Sequence, residues 1–344
     1  MQKNSAMIWR MALAAGFALT VGSQSVAQDE GSSGDVTAEA EAPVVEAEAP
    51  VVEVKPRPAE MMPLTAKSML LDVVRANGGL VAVGDRGAVV LSTDGKRWTQ
   101  VASPVRSALT AVYFADENHG WAVGHDSTII ATADAGKTWT LQMFKPSFEK
   151  PFLDVLFLDA QRGFAVGAYG LFYVTTDGGA TWVQADAPAI MGEELHFNAI
   201  TRLGNGDILI AGESGMMGVS GDAGATWSRL KSPYDSSLFG VLPMGDTGAL
   251  AFGLRGNAFS TSDVRGGKWA KVETGSVASM FGGAVLPSGE MAMVGLNGVI
   301  LVTDAGGTVR TLSTPAGTPL SGAMAYDGGL LLVGESGVQS LALK

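Results

Sequence analysis

Cysteine is absent from the 344 residues. No disulfide can staple this chain and no cysteine can carry a lipid anchor, so its stability has to come from a large core. Histidine is almost as scarce: His119, His125 and His196 are the whole supply, none is paired at ligand spacing, and a zinc site is not expected. Positive charge is short too, with 23 Lys and Arg against 34 Asp and Glu and a formal charge of −11. The basic residues are scattered rather than clustered, which excludes a nucleic-acid interface built on phosphate neutralisation. Long apolar runs are missing. The longest, "MALAAGFALTVG" near the N-terminus, is about a dozen residues against the roughly 20 a spanning helix needs. "GESGM" at Gly212 fails the Gly-x-Ser-x-Gly pattern of a nucleophile elbow, and no Asp-x-Asp-x-Asp-Gly calcium loop occurs.

Glycine is in excess, 46 residues, which disfavours helix and favours short strands joined by turns. Residues 1–27 have the layout of a secretory signal: Lys3 and Arg10, the apolar run, then Ser25-Val26-Ala27 as a small-x-small site. Cleavage is expected after Ala27, which takes the charge from −11 to −13 and leaves a soluble periplasmic or lumenal protein. Residues 28–60 carry nine acidic residues, Lys55, Arg57 and the tandem heptad "EAPVVEA", "EAPVVEV". Prolines and like charges make this an extended acidic linker.

"DAGKTW" (Asp134 to Trp139) imitates the end of a phosphate-binding loop, but Ala131 stands where such a loop needs its first glycine. It is one copy of a repeat. Trp98, Trp139, Trp182, Trp227 and Trp269 are 41, 43, 45 and 42 residues apart, and Val309 follows 40 residues later. A second motif, "VGxxG", counts seven copies, at Gly84, Gly124, Gly167, Gly212, Gly253, Gly295 and Gly334. A period near 42 with several short apolar or alternating segments per copy predicts an all-β, seven-bladed propeller of four-stranded blades over residues 61–344. Blade two is expected to run "LTAVYFAD", "HGWAVG", "STIIATA" and "TWTLQM". The seventh copy stops after its third strand. Its open edge is expected to be filled by Ala59 to Met62, because "PAEMMPLTAKSM" resembles the outer-strand segment "TQVASPVRSA".

The frame T-x-D-x-G-x-T-W assigns structural work to its residues: Asp caps its own turn, glycine supplies the backbone angles and Trp plugs the turn. The pairs are Asp94 with Trp98, Asp134 with Trp139, Asp177 with Trp182, Asp222 with Trp227 and Asp263 with Trp269, with Asp304 as a copy lacking Trp. Blade one is one residue short and blade five one long. This frame resembles the Asp box of bacterial neuraminidase repeats. The longer combinations "AVGDRGAVVLSTDGKRW" and "AVGAYGLFYVTTDGGATW" resemble the photosystem II stability and assembly factor family over residues 60–344. That resemblance implies an exported, non-catalytic, seven-bladed scaffold that binds a membrane protein complex and aids its assembly or stability. In a non-photosynthetic host it implies an exporter of the resistance-nodulation-division type as the neighbour.

All "VGxxG" turns of a propeller lie on one face together with the connections between blades. The variable turn residues Arg86, His125, Tyr169, Glu213, Arg255, Asn297 and Glu335 are therefore candidate partner contacts. Two connections, "FKPSFEKPF" and "ADAPAIMGEELHF", add Phe144, Phe148, Ile190 and Met191 as apolar loop residues suited to an interface. The alternative is a ligand- or glycan-binding propeller, or a degenerate sialidase-like glycosidase. That reading would recruit Arg86, Arg255, Tyr169 and Glu213, yet the Arg-Ile-Pro signature of such enzymes is missing. No catalytic residue, cofactor or metal is expected, and the protein is read as a monomer.

Overall fold

The computed structural model describes residues 54–304 and 306–343. The expected signal and most of the linker lie outside the described residues. The segment Pro56–Lys344 forms one compact unit, so residues 56–60, read as the end of the linker, belong with the propeller.

Seven antiparallel sheets follow one another along the chain, six of four strands and a last one of three. In blade two the strands are Leu109–Phe114, Gly120–Gly124, Thr128–Thr132 and Thr140–Met143, running from the centre outward. This is the expected seven-bladed propeller. The second strands are buried along their whole length in blades two to seven, because each blade is packed on both faces and alternation gives way to continuous apolar character. Outer strands such as Val183–Gln184 and Ser228–Arg229 are exposed. The core is accordingly not central. It is divided into seven apolar clusters, one at each seam between neighbouring blades.

Every inner strand carries a bulge at its second residue, opposite the first glycine of "VGxxG". That glycine is extended rather than left-handed in blade three, with φ −168°, and the requirement is one of space. A Cβ at Gly212 would collide with the His196 carbonyl, and the six equivalents meet the same obstacle. The skipped residues face the neighbouring blade. Thr110 donates to the Phe152 carbonyl at 2.8 Å, Asn198 to that of Leu238 at 2.9 Å and Ser321 to that of Leu70 at 2.7 Å. Asp72 and Asp154 accept from the Val112 and Ile200 amides, both at 2.9 Å. Between blades five and six the contact is instead Phe239 against Phe281, ring centres 5.5 Å apart, and between six and seven Gly282 lies against the Ser321 backbone.

One expectation fails. Blade seven is not completed by Ala59 to Met62: among the described residues its sheet ends at Gly337–Ala342. That segment is captured by blade one instead. The Ala59 amide donates to the Ser103 carbonyl at 3.0 Å, and the Gln100 side chain accepts from the Met62 amide at 2.7 Å and donates to the Glu60 carbonyl at 2.9 Å. The resemblance to "TQVASPVRSA" does hold for the connection that follows. Ala66 packs on Gly337 as Val105 packs on Gly87. The seam between blades seven and one is then closed by Ser321, by the cluster of Leu70, Val73, Leu331 and Val333, and by Arg75 lying 5.2 Å from the centre of the Tyr326 ring.

Candidate partner-binding site

In blades one to six the "VGxxG" turns share one geometry in which the second variable residue takes a left-handed conformation, while blade seven closes with a two-residue hairpin turn between Gly334 and Gly337. Arg86, Tyr169, Arg255 and Asn297 have φ of 55°, 53°, 56° and 58°. Their side chains project to solvent while in blades one to six the first variable residue is at least partly buried, so the expected ring splits into two kinds, with Glu335 of blade seven exposed although it stands first in its turn. Arg86, Tyr169, Arg255, Asn297 and Glu335 are exposed, and His125 and Glu213 are partly buried. The Arg86 guanidinium lies 3.8 Å from the Asp85 carboxylate. Burial holds His125 below the usual histidine range, with Asp126 and Asp85 opposing.

One turn is built into something deeper. Tyr169, 41% exposed, donates its backbone N–H to His196 Nδ1 at 2.8 Å, and the two rings meet edge to face at 4.5 Å. His196 is 5% exposed, and burial, partly offset by Glu213, lowers its pKa. Since Nδ1 accepts, the proton of the neutral ring sits on Nε2, 3.5 Å from a Glu213 carboxylate oxygen. The same oxygen accepts from the His196 amide at 3.3 Å. His196 and Glu213 thus fix the Tyr169 turn. The two long connections close around it. Lys150 Nζ donates to the Tyr169 carbonyl at 3.2 Å, and the Lys145 ammonium lies 5.0 Å from the Phe148 ring centre and 5.5 Å from that of Tyr173, within cation–π range.

The result is a pocket of about 360 Å³ lined by Phe148, Lys150, Tyr169, Tyr173, Gln184, Met191 and Glu194, with Gly170 and Leu171 at its base. Three of the expected residues, Tyr169, Phe148 and Met191, meet here. Phe148 is 39% exposed, but Ile190 is only 1% exposed and packs into the seam between blades three and four. The connection turns through one helical turn, Pro188–Met191, which drives Ile190 inward. Ile190 is therefore core, not contact surface. Phe144 is partly buried. Arg86, Arg255, Asn297 and Glu335 sit on other blades and do not line the pocket. Lys145, Lys150, Tyr173, Gln184, Glu194 and His196 are absent from the expected set, although the two lysines flank Phe148 in "FKPSFEKPF" and were legible as a basic, aromatic loop.

The Asp-box carboxylates lie at the other end of the blades and are consumed by their own turns. Asp177 accepts from the Thr181 amide at 2.9 Å, from the Thr181 hydroxyl at 2.6 Å and from the Thr175 hydroxyl at 2.8 Å. Asp134 and Asp222 repeat this, and the Trp139 indole donates to the Gly136 carbonyl at 2.8 Å. In the lengthened copy at Asp263 the Trp269 indole N–H is buried without a hydrogen-bond partner among the described residues. Asp94 in the short copy is held by the Arg97 and Lys96 amides and by the Arg97 guanidinium.

Among the described residues no helix is long and apolar enough to cross a membrane. The family model described as "Photosynthesis system II assembly factor YCF48" matches residues 90–147 and 141–241, from the third strand of blade one into blade five. Over 200 residues, 54% of this chain, the sequence is 36% identical to the chloroplastic photosystem II stability/assembly factor HCF136 of Cyanidioschyzon merolae (strain NIES-3377 / 10D), and the match spans 45% of that protein. A solved structure of "YCF48 bound to D1 peptide" superposes with a TM-score of 0.65 at 16% identity, covering 86% of this chain and 99% of that one. Virginiamycin B lyase from Staphylococcus aureus superposes with 0.71 at 10% identity over 84% of this chain and 99% of that one. At such identities the superpositions speak for the fold alone. The composite repeat and the family match carry more: over residues 90–241 this chain is similar to the photosystem II stability/assembly factor β-propellers.

Proposed function

We propose that the protein is a non-catalytic, exported propeller that grips a segment of a membrane protein complex and aids its assembly or stability. The observation that carries this reading is the pocket between the two long connections. Phe148, Tyr169, Tyr173 and Met191 offer apolar and aromatic walls there, and Lys145 and Lys150 stand beside them. Aromatic anchors in a pocket with charge at the rim are the chemistry of a peptide-sized hot spot. The similar YCF48 propeller binds a D1 peptide, which supports a peptide segment as the ligand here as well. The leader at residues 1–27 supports export, and the partner would then be met on the far side of a membrane.

The test is a cross-linking pulldown of the tagged protein from its own cells. Beside the wild type run two variants: Phe148→Ala, Lys150→Ala and Tyr169→Ala combined, and Arg86→Ala with Arg255→Ala. The expected result is an integral-membrane complex recovered with the wild type and the double variant and lost with the triple. Equal recovery by all three moves the interface elsewhere. Recovery of no membrane protein overturns the assembly role and turns attention to glycan binding.

A further inference from the structure

At the opposite end of the propeller a groove of about 650 Å³ opens between blades one and two. Val81, Leu91 and Ala135 form its floor and Asn77, Arg97 and Lys137 part of its rim. The next two seams are filled by aromatic residues at a position where later blades carry Leu209, Leu250, Ala292 and Leu331. Val81 stands three residues before Gly84, and the residues three before Gly124 and Gly167 are Trp121 and Phe164. At the seam between blades two and three, Trp121 stacks on Phe157 with ring centres 3.4 Å apart and planes at 9°. Its indole N–H donates to the Gly178 carbonyl at 3.2 Å, where Gln142 also donates at 2.9 Å. At the seam between blades three and four, Phe164 fills the equivalent space and closes on Gly224. Valine stops short of this position. Ala135 is the counterpart of Gly178, each following the aspartate of its Asp box and each at positive φ, and no side chain among the described residues donates to the Ala135 carbonyl.

We propose that this groove receives a tryptophan side chain of a partner protein, supplying from outside what Trp121 supplies within the chain at the next seam. The indole lies on Val81 and Leu91 and donates to the Ala135 carbonyl, a pairing of broad apolar face and single donor that suits tryptophan. Lys137 flanks the opening beside Arg97, whose exposed guanidinium also pairs with Asp94 at 3.0 Å. Their charge selects a tryptophan with a carboxylate beside it. The site lies on the Asp-box face and stands apart from the pocket at Tyr169.

The experiment titrates the isotope-labelled full chain with N-acetyltryptophan and with neutral N-acetyltryptophanamide and follows amide shifts by NMR. Roughly millimolar binding, normal for so small a ligand, is expected with shifts at Val81, Leu91 and Ala135. The anionic probe should bind about two- to fivefold tighter, an advantage lost at high salt. Val81→Trp, which copies the residue type that blade two carries at this position, fills the groove from within and should weaken both probes by at least about tenfold. Lys137→Glu, an exposed change that leaves the core untouched, should abolish the preference for the anion. Absence of binding, shifts that map elsewhere, undiminished binding by folded Val81→Trp, or an unchanged preference in Lys137→Glu would each overturn the proposal. If Val81→Trp does not fold, the shift map and Lys137→Glu decide.

Discussion

Asp177 and Asp222 each take hydrogen bonds from a threonine hydroxyl and that threonine's amide, and these bonds pull their pKa values from 3.8 to about 2. The folded state binds protons less readily than the unfolded chain. Their contribution is therefore complete above about pH 4 and is lost as the pH falls towards about 2. The urea midpoint should hold level above that window and drop within it, and Asp177→Asn with Asp222→Asn should flatten the drop. An unchanged drop in the double variant would assign it to other carboxylates. Gly212 makes the complementary case for space rather than charge. A methyl group there meets the His196 carbonyl, and Gly212→Ala should cost about 1–3 kcal/mol as overpacking does, read from denaturant unfolding. All three residues stand in motifs that the sequence repeats, which is why they were recognisable. Ile190 was not, because an apolar residue in a loop looks the same whether the loop turns it out or in.

The strand is the scale at which the repeat is most faithful and also where it breaks. Third strands of blades one to six are paired on both edges, whereas among the described residues Gly337–Ala342 in blade seven is paired on one. Hydrogen exchange should report this directly. Amides of Val338–Ala342 that face outward should exchange much faster than their counterparts in Val299–Thr303, and equal protection would mean that a fourth strand covers them. Strand order and number were readable because Trp and Gly mark each turn. The bulge in every inner strand was not, since it is set by register and leaves no distinctive residue type: its skipped position holds Leu71, Thr110, Leu153, Asn198, Phe239, Phe281 and Ser321 in turn. The displacement of Ala59 to Met62 onto blade one was equally hidden. It rests on the Ala59 amide meeting the Ser103 carbonyl and on the side chain of Gln100, which answers the backbone at both Glu60 and Met62.

At the scale of the molecule, the pocket at Tyr169 needs two connections, blades three and four and a buried histidine to coincide. His196→Ala should therefore weaken partner capture while leaving Tyr169 in place along the chain. Capture restored by His196→Asn, whose side-chain oxygen stands where Nδ1 accepts from the Tyr169 amide, would show that positioning is the cause. The seam between blades seven and one rests on Ser321, Arg75 and an apolar cluster. Ser321→Ala should cost about 1 kcal/mol, and a neutral result would place the closure in the apolar contacts alone. The inner links described above also differ in kind from blade to blade. From blade one to blade five each neighbour is tied by a directional bond, through Asp72, Thr110, Asp154 and Asn198. From five to seven the inner-strand contacts are two phenyl rings and a glycine approach, with a hydrogen bond from the Arg255 amide to the Ser279 hydroxyl at 3.1 Å beside the first of them. The inner-strand ties are thus directional along the arc from blade one to blade five, the arc that carries both the pocket and the groove.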